Sequence, residues 1–273
     1  YINAETRIPQ PVIRTDAEAP HRPSTWEPAL ASAAEAVKRI APNQLAIIAS
    51  GRMTNEELYM VRHLAAQIGT DMVDIVLRMG ESDGMLISAD RNPNTNGARL
   101  VLDIEPGSKL DAIREGVRSG SIKGILSLGE DLISPEAGFT AEDLDKLDYL
   151  FMTAHSANET ARHADLVLPG VTYAEKFGTM INVTGRIQRL NRAIQPIGYA
   201  RDDWQIFRDI TLLLGGNPAL KDFNSALDIL TAMSTEYGAL NGVSWGSIGD
   251  GGQPILETGV TIPVVEREKN QGR

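Results

Sequence analysis

The sequence predicts an α/β fold, a doubly wound and mostly parallel sheet with helices on both faces. Short runs made almost entirely of apolar residues alternate with longer segments whose apolar residues recur at helical spacing. Strands that are apolar on both faces are typical of parallel sheets covered on both sides. Because strand and helix alternate along the chain, right-handed crossovers between neighbouring strands are expected.

The predicted strands are four buried runs. They are residues 45–49, 122–129, 149–154 and 165–168. Each run ends at Gly, Ser, His or Pro, which are frequent in turns and at strand ends. The sequence therefore predicts a parallel core of these four strands.

Helices are predicted between and beyond the strands from the spacing of their apolar residues. They are 29–40, 54–68, 110–117, 140–147, 204–214 and 224–233, with a helical turn at 158–162. Thr54 with Glu57 has the form of a capping box, and Ser24 with Glu27 is predicted to cap the first helix in the same way. Residues 69–100 carry glycine and proline at short intervals and are predicted to be irregular.

Three parts are predicted along the chain. Residues 1–25 contain four prolines and little periodicity, which favours an extended lead-in linker. Residues 26–220 are predicted to form the α/β domain. Residues 221–273 are predicted to begin as a helix and to continue as an extended, frayed tail that ends in the charged run 266–269.

Composition excludes several classes of function. The 273 residues carry a net charge of −10, which argues against non-specific binding to nucleic acid or to anionic membranes. No apolar run approaches the roughly 20 residues that a membrane span needs. The chain has no cysteine and four histidines, so disulfides, zinc–thiolate sites and all-cysteine iron–sulfur clusters held by this chain alone are excluded.

The most informative segment is 164–192. An apolar strand ends at Pro169, and Tyr173-Ala174-Glu175 is predicted to begin a helix. Gly178 is predicted to adopt a positive φ, and Glu175 to accept hydrogen bonds in the interior. The segment then returns through three arginines, which are Arg186, Arg189 and Arg192.

This segment resembles a signature of the molybdopterin oxidoreductase family, in which a strand ending in Leu-Pro is followed by Glu, Gly-Thr, Asn, Gly-Arg and Gln. The family includes formate dehydrogenases, nitrate reductases and the large iron–sulfur subunit of NADH:quinone oxidoreductase (respiratory complex I). Residues 49–57 resemble its Ser-x-Arg-x-Thr-Asn-Glu-Glu junction, and residues 68–74 its Ile-Gly-Thr-Asn-x-Val-Asp turn. The resemblance runs from about residue 26 to residue 214 and implies a molybdopterin-oxidoreductase-like α/β domain.

Departures from the family pattern indicate which member the chain resembles. In formate dehydrogenases a cysteine or selenocysteine that ligates the metal follows the turn closely. Residues 75–82 hold no such ligand here, although Ser82 or Asp83 could replace it in principle. A further Rossmann-like segment, which holds much of one pterin dinucleotide in the family, and the cysteine-rich cluster domain are also missing. The chain therefore resembles a truncated member, closest to the C-terminal, molybdopterin-like part of the complex I large subunit.

That resemblance implies a non-catalytic scaffold, with neither a cofactor nor a metal site in this chain, inside a complex I-like electron-transfer complex. Its expected partners are iron–sulfur and flavin-bearing subunits. The expected location is cytoplasmic, at the periphery of the inner membrane through that complex.

The alternative is a cofactor-binding subunit of a formate dehydrogenase-like enzyme that holds molybdopterin guanine dinucleotide. Its candidate residues follow strand ends or lie in the signature, and they are Ser50, Arg52, Gly129, Glu130, His155, Asn158, Thr160 and Arg186. This alternative requires an open, polar crevice lined by Ser50, Gly129 and Ala154. A third hypothesis, a nucleotide-binding regulator, has neither a Gly-x-Gly-x-x-Gly motif nor a P-loop to support it.

Each candidate also has a structural interpretation. Gly129 can simply permit a tight turn, and Ser156 or Asn158 can cap a helical turn. The three arginines of the signature are expected to face a protein neighbour rather than a pterin phosphate.

Overall fold

A seven-stranded sheet forms the centre of the molecule. The computed structural model describes residues 4–14, 19–85 and 87–260. In chain order the strands of this sheet are β1 (Val12–Ile13), β2 (Arg22–Pro23), β3 (Leu45–Ala49), β4 (Val73–Ile75), β5 (Gly124–Leu128), β6 (Tyr149–Ala154) and β7 (Leu166–Pro169). Their spatial order is β2-β1-β7-β6-β5-β3-β4, and β4, β3, β5, β6 and β7 run parallel.

A second, antiparallel sheet and the helices surround this centre. The small sheet consists of β8 (Gly178–Ile181), β9 (Arg186–Leu190) and β10 (Gln253–Pro254). The helices are α1 (Trp26–Arg39), α2 (Asn55–Ile68), α3 (Thr95–Leu102), α4 (Leu110–Ser119), α5 (Ala141–Leu144), α6 (Glu159–His163), α7 (Asp203–Leu213), α8 (Ala226–Glu236) and α9 (Trp245–Ile248).

Strand β3 shows why the sheet is covered on both faces. Leu45, Ile47 and Ala49 point into a core that also contains side chains of α1, α2, α3, α7 and α8. Ala46 and Ile48 point into the opposite core, which is formed with α4, α5 and α6. Because alternate residues of a strand face opposite sides, an all-apolar strand is buried on both. The predicted doubly wound α/β fold is confirmed.

One of the two helix caps predicted from the sequence is present in the structure. Thr54 forms the predicted capping box with Glu57, and Thr140 forms one with Asp143. The predicted cap at Ser24 is wrong. Helix α1 instead has Thr25 at its N-cap position, without a side-chain cap hydrogen bond. Pro28 follows within the first turn, where its fixed φ suits the helix and its missing N–H costs no hydrogen bond.

Residues 69–100 contain regular structure that the sequence did not predict. Strand β4 lies at the parallel edge of the sheet, and helix α3 packs against α2. Three residues are too few for a periodic signal, and α3 begins at Thr95, directly after a Pro-Asn pair that indicates a turn. Helix α5 is also shorter than predicted, because it ends at Leu144 rather than Leu147.

The segments predicted as lead-in and tail are attached to the body. Strand β1 extends the sheet by pairing antiparallel with β7, and β2 pairs with β1. Helix α8 packs against α2, and β10 pairs with β9. The predicted frayed end with its charged run at 266–269 lies outside the described residues, as do residues 1–3 of the predicted linker.

Candidate functional site

A crevice opens at the carboxyl ends of the parallel strands. Strands β4 and β5 both follow β3 in the chain but lie on opposite sides of it, so the winding direction reverses beside β3. Ligands of open α/β sheets bind at such a switch point, outside the carboxyl ends of the strands. The crevice has a volume of about 380 Å³ and is lined by Ser50, Arg52, Met53, Gly129, Ala154, His155, Gly170, Val171, Tyr173, Lys176 and Asp203.

Ser50, Gly129 and Ala154 come from three adjacent strand ends, and all three line this crevice, as the cofactor-binding alternative requires. Gly129 has φ +73°, which permits a tight turn directly after β5. A Cβ atom built there would lie 3.6 Å from Ser50 and Met53, an ordinary van der Waals contact, so the positive φ rather than a steric clash favours glycine here.

Arg52 lies at the mouth of the crevice and is exposed. Its backbone N–H donates to Ser50 Oγ over 3.2 Å, which holds the turn after β3. Among the described residues no carboxylate forms an ion pair with its guanidinium. Tyr173, across the crevice, is 61% exposed. An available guanidinium and an available aromatic ring therefore border the same cavity.

His155 follows β6 and contributes an imidazole to the lining. Its Nδ1 lies 2.9 Å from Ser156 Oγ. Burial lowers the pKa of His155 below its ordinary value, so the ring is neutral near pH 7. A neutral imidazole has one donor and one acceptor nitrogen, and the contact with Ser156 uses one of the two.

Lys176 forms part of the crevice wall together with Asp203. Its Nζ donates to Glu57 Oε2 over 2.7 Å and lies 3.6 Å from Asp203 Oδ2. Although burial acts to lower the pKa of Lys176, the charges of Glu57 and Asp203 outweigh it and raise that pKa, so the amine stays protonated. Burial, with the nearby Asp203 charge, raises the pKa of Glu57 to about 7 despite the opposing effect of Lys176.

Glu56 lies beside this cluster and is fully buried. It accepts hydrogen bonds from the backbone N–H and the hydroxyl of Thr179, both over 2.8 Å. Within the described part of the chain no basic side chain pairs with it, and burial raises its pKa to about 7. A Cβ on Gly178 would lie 2.5 Å from Glu56 Oε2. The predicted positive φ at Gly178 is therefore wrong, because this glycine is required for close approach and begins β8.

Glu175 is a buried hydrogen-bond acceptor, as predicted. Arg7 Nη2 donates to both of its carboxylate oxygens over 3.0 and 2.8 Å, and Thr172 donates through its N–H and its hydroxyl. The predicted helix start at Tyr173 is wrong, because these residues form a turn whose ends the Glu175 carboxylate holds together.

Four of the eight candidate residues line the crevice, and they are Ser50, Arg52, Gly129 and His155. The other four make internal contacts. Glu130 pairs with Arg78 through both carboxylate oxygens over 2.9 and 2.5 Å. Asn158 caps α6 by accepting from the Ala161 N–H over 2.9 Å. Thr160 donates to Asp131 over 2.6 Å. These contacts stabilise loops beside the crevice, and the three side chains are not part of its lining.

The arginines of the signature form hydrogen bonds or ion pairs within their own chain, and contact with a protein neighbour stays a prediction. Arg186 donates to the carbonyls of Gly251 and Gly252. Arg189 pairs with Asp250, and its guanidinium lies over the Trp245 ring. Arg192 pairs with Asp202 over 2.6 Å. The approach of the tail to β9 supplies the acceptors of Arg186 and Arg189, which the sequence around the arginines does not reveal.

Sequence reasoning missed Tyr173, Lys176 and Asp203 as lining residues. Lys176 directly follows the predicted acceptor Glu175, so a signal was present. Asp203 lies in the first turn of α7, where an acidic residue is expected for helix stability alone. Gly170 follows β7, and a Cβ there would lie 2.7 Å from Asp203 Oδ1, so glycine lets this carboxylate reach the crevice.

The described residues hold no group of three or more His, Cys, Asp or Glu side chains placed to bind a metal ion. Across 4–14, 19–85 and 87–260, every helix is too short or too polar to cross a membrane.

The strand order defines a doubly wound α/β domain with an open crevice at its switch point. Residues 90–211 match the sequence profile of molybdopterin oxidoreductases. The match covers somewhat less than half of the chain, and this part of it is similar to that family.

Curated relatives share part of the sequence. An inferred formate dehydrogenase of Staphylococcus haemolyticus is 32% identical over 144 residues, which are 52% of this chain and 15% of that protein. The alpha subunit of an NADPH-Fe(3+) oxidoreductase of Geobacter sulfurreducens is 33% identical over 136 residues, which are 49% of this chain and 16% of that subunit. The chain thus matches only 15–16% of the length of these relatives.

Among solved structures, acetylene hydratase from Pelobacter acetylenicus has a similar fold, with a TM-score of 0.61 and 9% sequence identity. The match covers 90% of this chain and 66% of that one. This likeness concerns the fold alone.

Proposed function

We propose that this chain is the cofactor-holding α/β domain of a formate dehydrogenase-like molybdopterin oxidoreductase. The observation that carries the proposal is the open crevice at the switch point, which brings together Ser50, Arg52, Gly129 and His155. Its volume of about 380 Å³ lies at the lower end of the range for small-ligand sites. We therefore infer that it holds one portion of a pterin dinucleotide.

The donor set suits such a group. The available guanidinium of Arg52 can bind a phosphate through two parallel hydrogen bonds. The exposed ring of Tyr173 can stack on an aromatic ring of the ligand. Met53 and Val171 supply apolar surface that displaces water from the bound portion. When bound, the pterin cofactor would supply the redox-active metal, while this chain binds and orients it.

The test is binding of diguanosine pyrophosphate (GppG), a pyrophosphate diester that carries the guanine nucleotide end of the cofactor. Isothermal titration calorimetry compares the wild-type chain with Arg52→Gln and with Arg39→Gln, an exposed arginine on α1 that is not part of the crevice lining. We expect Arg52→Gln to weaken binding roughly tenfold, which corresponds to the loss of one charge-assisted hydrogen-bonding group. Arg39→Gln should bind as the wild type does. Equal binding by all three chains, or no binding by any, would contradict the proposal.

A second candidate is the scaffold part of a complex I-like electron-transfer complex, without its own cofactor. Internal contacts of Glu130, Asn158, Thr160 and Arg186 favour it, because these four positions stabilise the fold rather than face a ligand. Its partners would be iron–sulfur and flavin-bearing subunits, and its location the cytoplasmic side of the inner membrane.

Elemental analysis and co-purification from the native source separate the two candidates. The scaffold candidate predicts co-purification with flavin- and cluster-bearing subunits and no stoichiometric molybdenum or tungsten. The cofactor-holding candidate predicts one of these metals together with a pterin.

A further inference from the structure

We propose that Lys176 is a second anion ligand of the crevice, and that anion binding there is linked to uptake of one proton by Glu57, which contacts the Lys176 ammonium. The inference rests on the proposed function, since it assigns a further ligand and a pH dependence to the same crevice. It predicts that an anionic ligand binds more tightly at pH 6 than at pH 8.

The positions of the side chains support the first part of this inference, that Lys176 binds an anion in the crevice. Lys176 and Asp203 both line the crevice, while Glu57 lies behind them in the first turn of α2. The Lys176 ammonium donates to Glu57 over 2.7 Å, and Asp203 lies 3.6 Å from it, beyond a short hydrogen bond. An ammonium has three donors. Lys176 can therefore turn a donor toward a ligand in the crevice.

The charges of the cluster support the second part, that anion binding is linked to proton uptake. With both carboxylates ionised, one lysine faces two negative charges in a buried setting, so the cluster repels an anion. Protonation of one carboxylate removes a charge, and the lysine can then attract a phosphate. Because burial raises the pKa of Glu57 to about 7, this change falls in the neutral range.

The other charged groups around Lys176 do not remove this imbalance. Glu56 on α2 adds a buried carboxyl. Asp202 at the start of α7 pairs with Arg192. Arg7 of the lead-in pairs with Glu175. His155 at the end of β6 lines the same crevice and titrates as well, so the experiment must separate its contribution from that of Glu57.

The experiment measures GppG binding by calorimetry at pH 6 and pH 8, because the charge of this diester is the same at both values. For the wild type we expect about tenfold tighter binding at pH 6, with uptake of nearly one proton at pH 8 and little at pH 6, detected from buffers of different ionisation enthalpy. Glu57→Gln keeps the acceptor for the Lys176 ammonium but carries no charge. It should bind at pH 8 as tightly as the wild type does at pH 6, and its affinity should not depend on pH.

Three further variants complete the design. Glu57→Gln combined with Lys176→Gln should weaken GppG binding at both pH values, and circular dichroism verifies that it is folded. Lys221→Gln, an exposed lysine outside the crevice, should match the wild type. His155→Gln should retain the pH dependence.

The outcomes of these measurements distinguish failure of this inference from failure of the proposed function. Pyrophosphate binding that depends on Arg52 but not on Lys176, or a pH dependence that survives Glu57→Gln and is lost in His155→Gln, would overturn this inference and leave the proposed function standing. Absence of GppG binding at both pH values would overturn the proposed function itself.

Discussion

Two buried ionic clusters are formed by the neighbouring residues Glu175 and Lys176, and they differ in charge balance. In the first, Arg7 donates to both oxygens of Glu175, so one cation faces one carboxylate. In the second, Lys176 faces the carboxylates of Glu57 and Asp203. Both clusters are buried, yet the pKa of Glu57 is raised and the pKa of Glu175 is lowered.

Hydrogen bonds and charge balance decide that difference, because burial acts in the same direction on both clusters. Burial acts to raise the pKa of Glu175, but hydrogen bonds from Thr172 and Arg7 outweigh it and hold that pKa below its ordinary value. The pKa of Glu57 is raised to about 7, because Lys176 is shared and the nearby Asp203 charge adds to the effect of burial. The first cluster therefore fastens the lead-in to the sheet, whereas the second can exchange a proton beside the crevice.

Removal of the shared cation should have the largest effect on stability. Lys176→Met leaves Glu57 and Asp203 without a cation, and breaking a buried ion pair in this way costs about 3–5 kcal/mol. Urea unfolding at pH 7 measures the loss, with Lys221→Met as the matched exposed control. Combination with Glu57→Gln should recover part of the stability, because one buried charge is then removed. A loss below about 1 kcal/mol, the value typical of a surface pair, would show that the cluster is not desolvated.

Glu56→Gln should change how stability depends on pH. The folded-state pKa of Glu56 is about 7 against an ordinary value of 4.5, so its contribution is fully present below pH 4.5 and is lost as pH rises through 7. The difference between the folded and ordinary pKa of Glu56 corresponds to about 3 kcal/mol in the free energy of unfolding. Gln cannot ionise and imitates the protonated acid, so the variant should gain about this much over the wild type between pH 4.5 and pH 8.

Urea unfolding across this pH range measures that gain, and Glu257→Gln, at an exposed position, is the control. A difference between Glu56→Gln and wild type that stays constant with pH would contradict the raised pKa.

The fold could be predicted from the sequence because its signals are local. The apolar strand at 45–49 and the Thr54 capping box are complete within a few neighbouring residues. The strand ends follow from the strands, so the sequence alone assigns Ser50, Gly129 and Ala154 to one edge of the sheet. Strand β4, with three residues, is too short to carry such a signal.

The lining of the crevice could be predicted only in part, because it depends on contacts between distant segments. Lys176 reaches Glu57 across 119 positions of the chain, and Arg7 reaches Glu175 across 168. Arg186 is a candidate cofactor residue by its motif, but in the fold it donates to the carbonyls of Gly251 and Gly252. Motif spacing indicates which residue types are present, whereas the partner that each one meets is decided by the fold.

Arg7→Met tests the balanced cluster and should have the smallest effect of the three. The backbone N–H and hydroxyl of Thr172 still bind Glu175 in the variant, so we expect a loss of about 2 kcal/mol at pH 7, the value for a hydrogen bond to a charged group. Because the folded-state pKa of Glu175 is lowered, its stabilising contribution is present above 4.5 and is lost as pH falls through the folded value. The cost of the substitution should therefore fade below pH 4.5, which is the opposite sign to Glu56. Urea unfolding at pH 4 and pH 7, with Arg22→Met as the exposed control, measures it. An equal cost at both pH values would mean that Arg7 stabilises the lead-in by packing and not through the Glu175 charge.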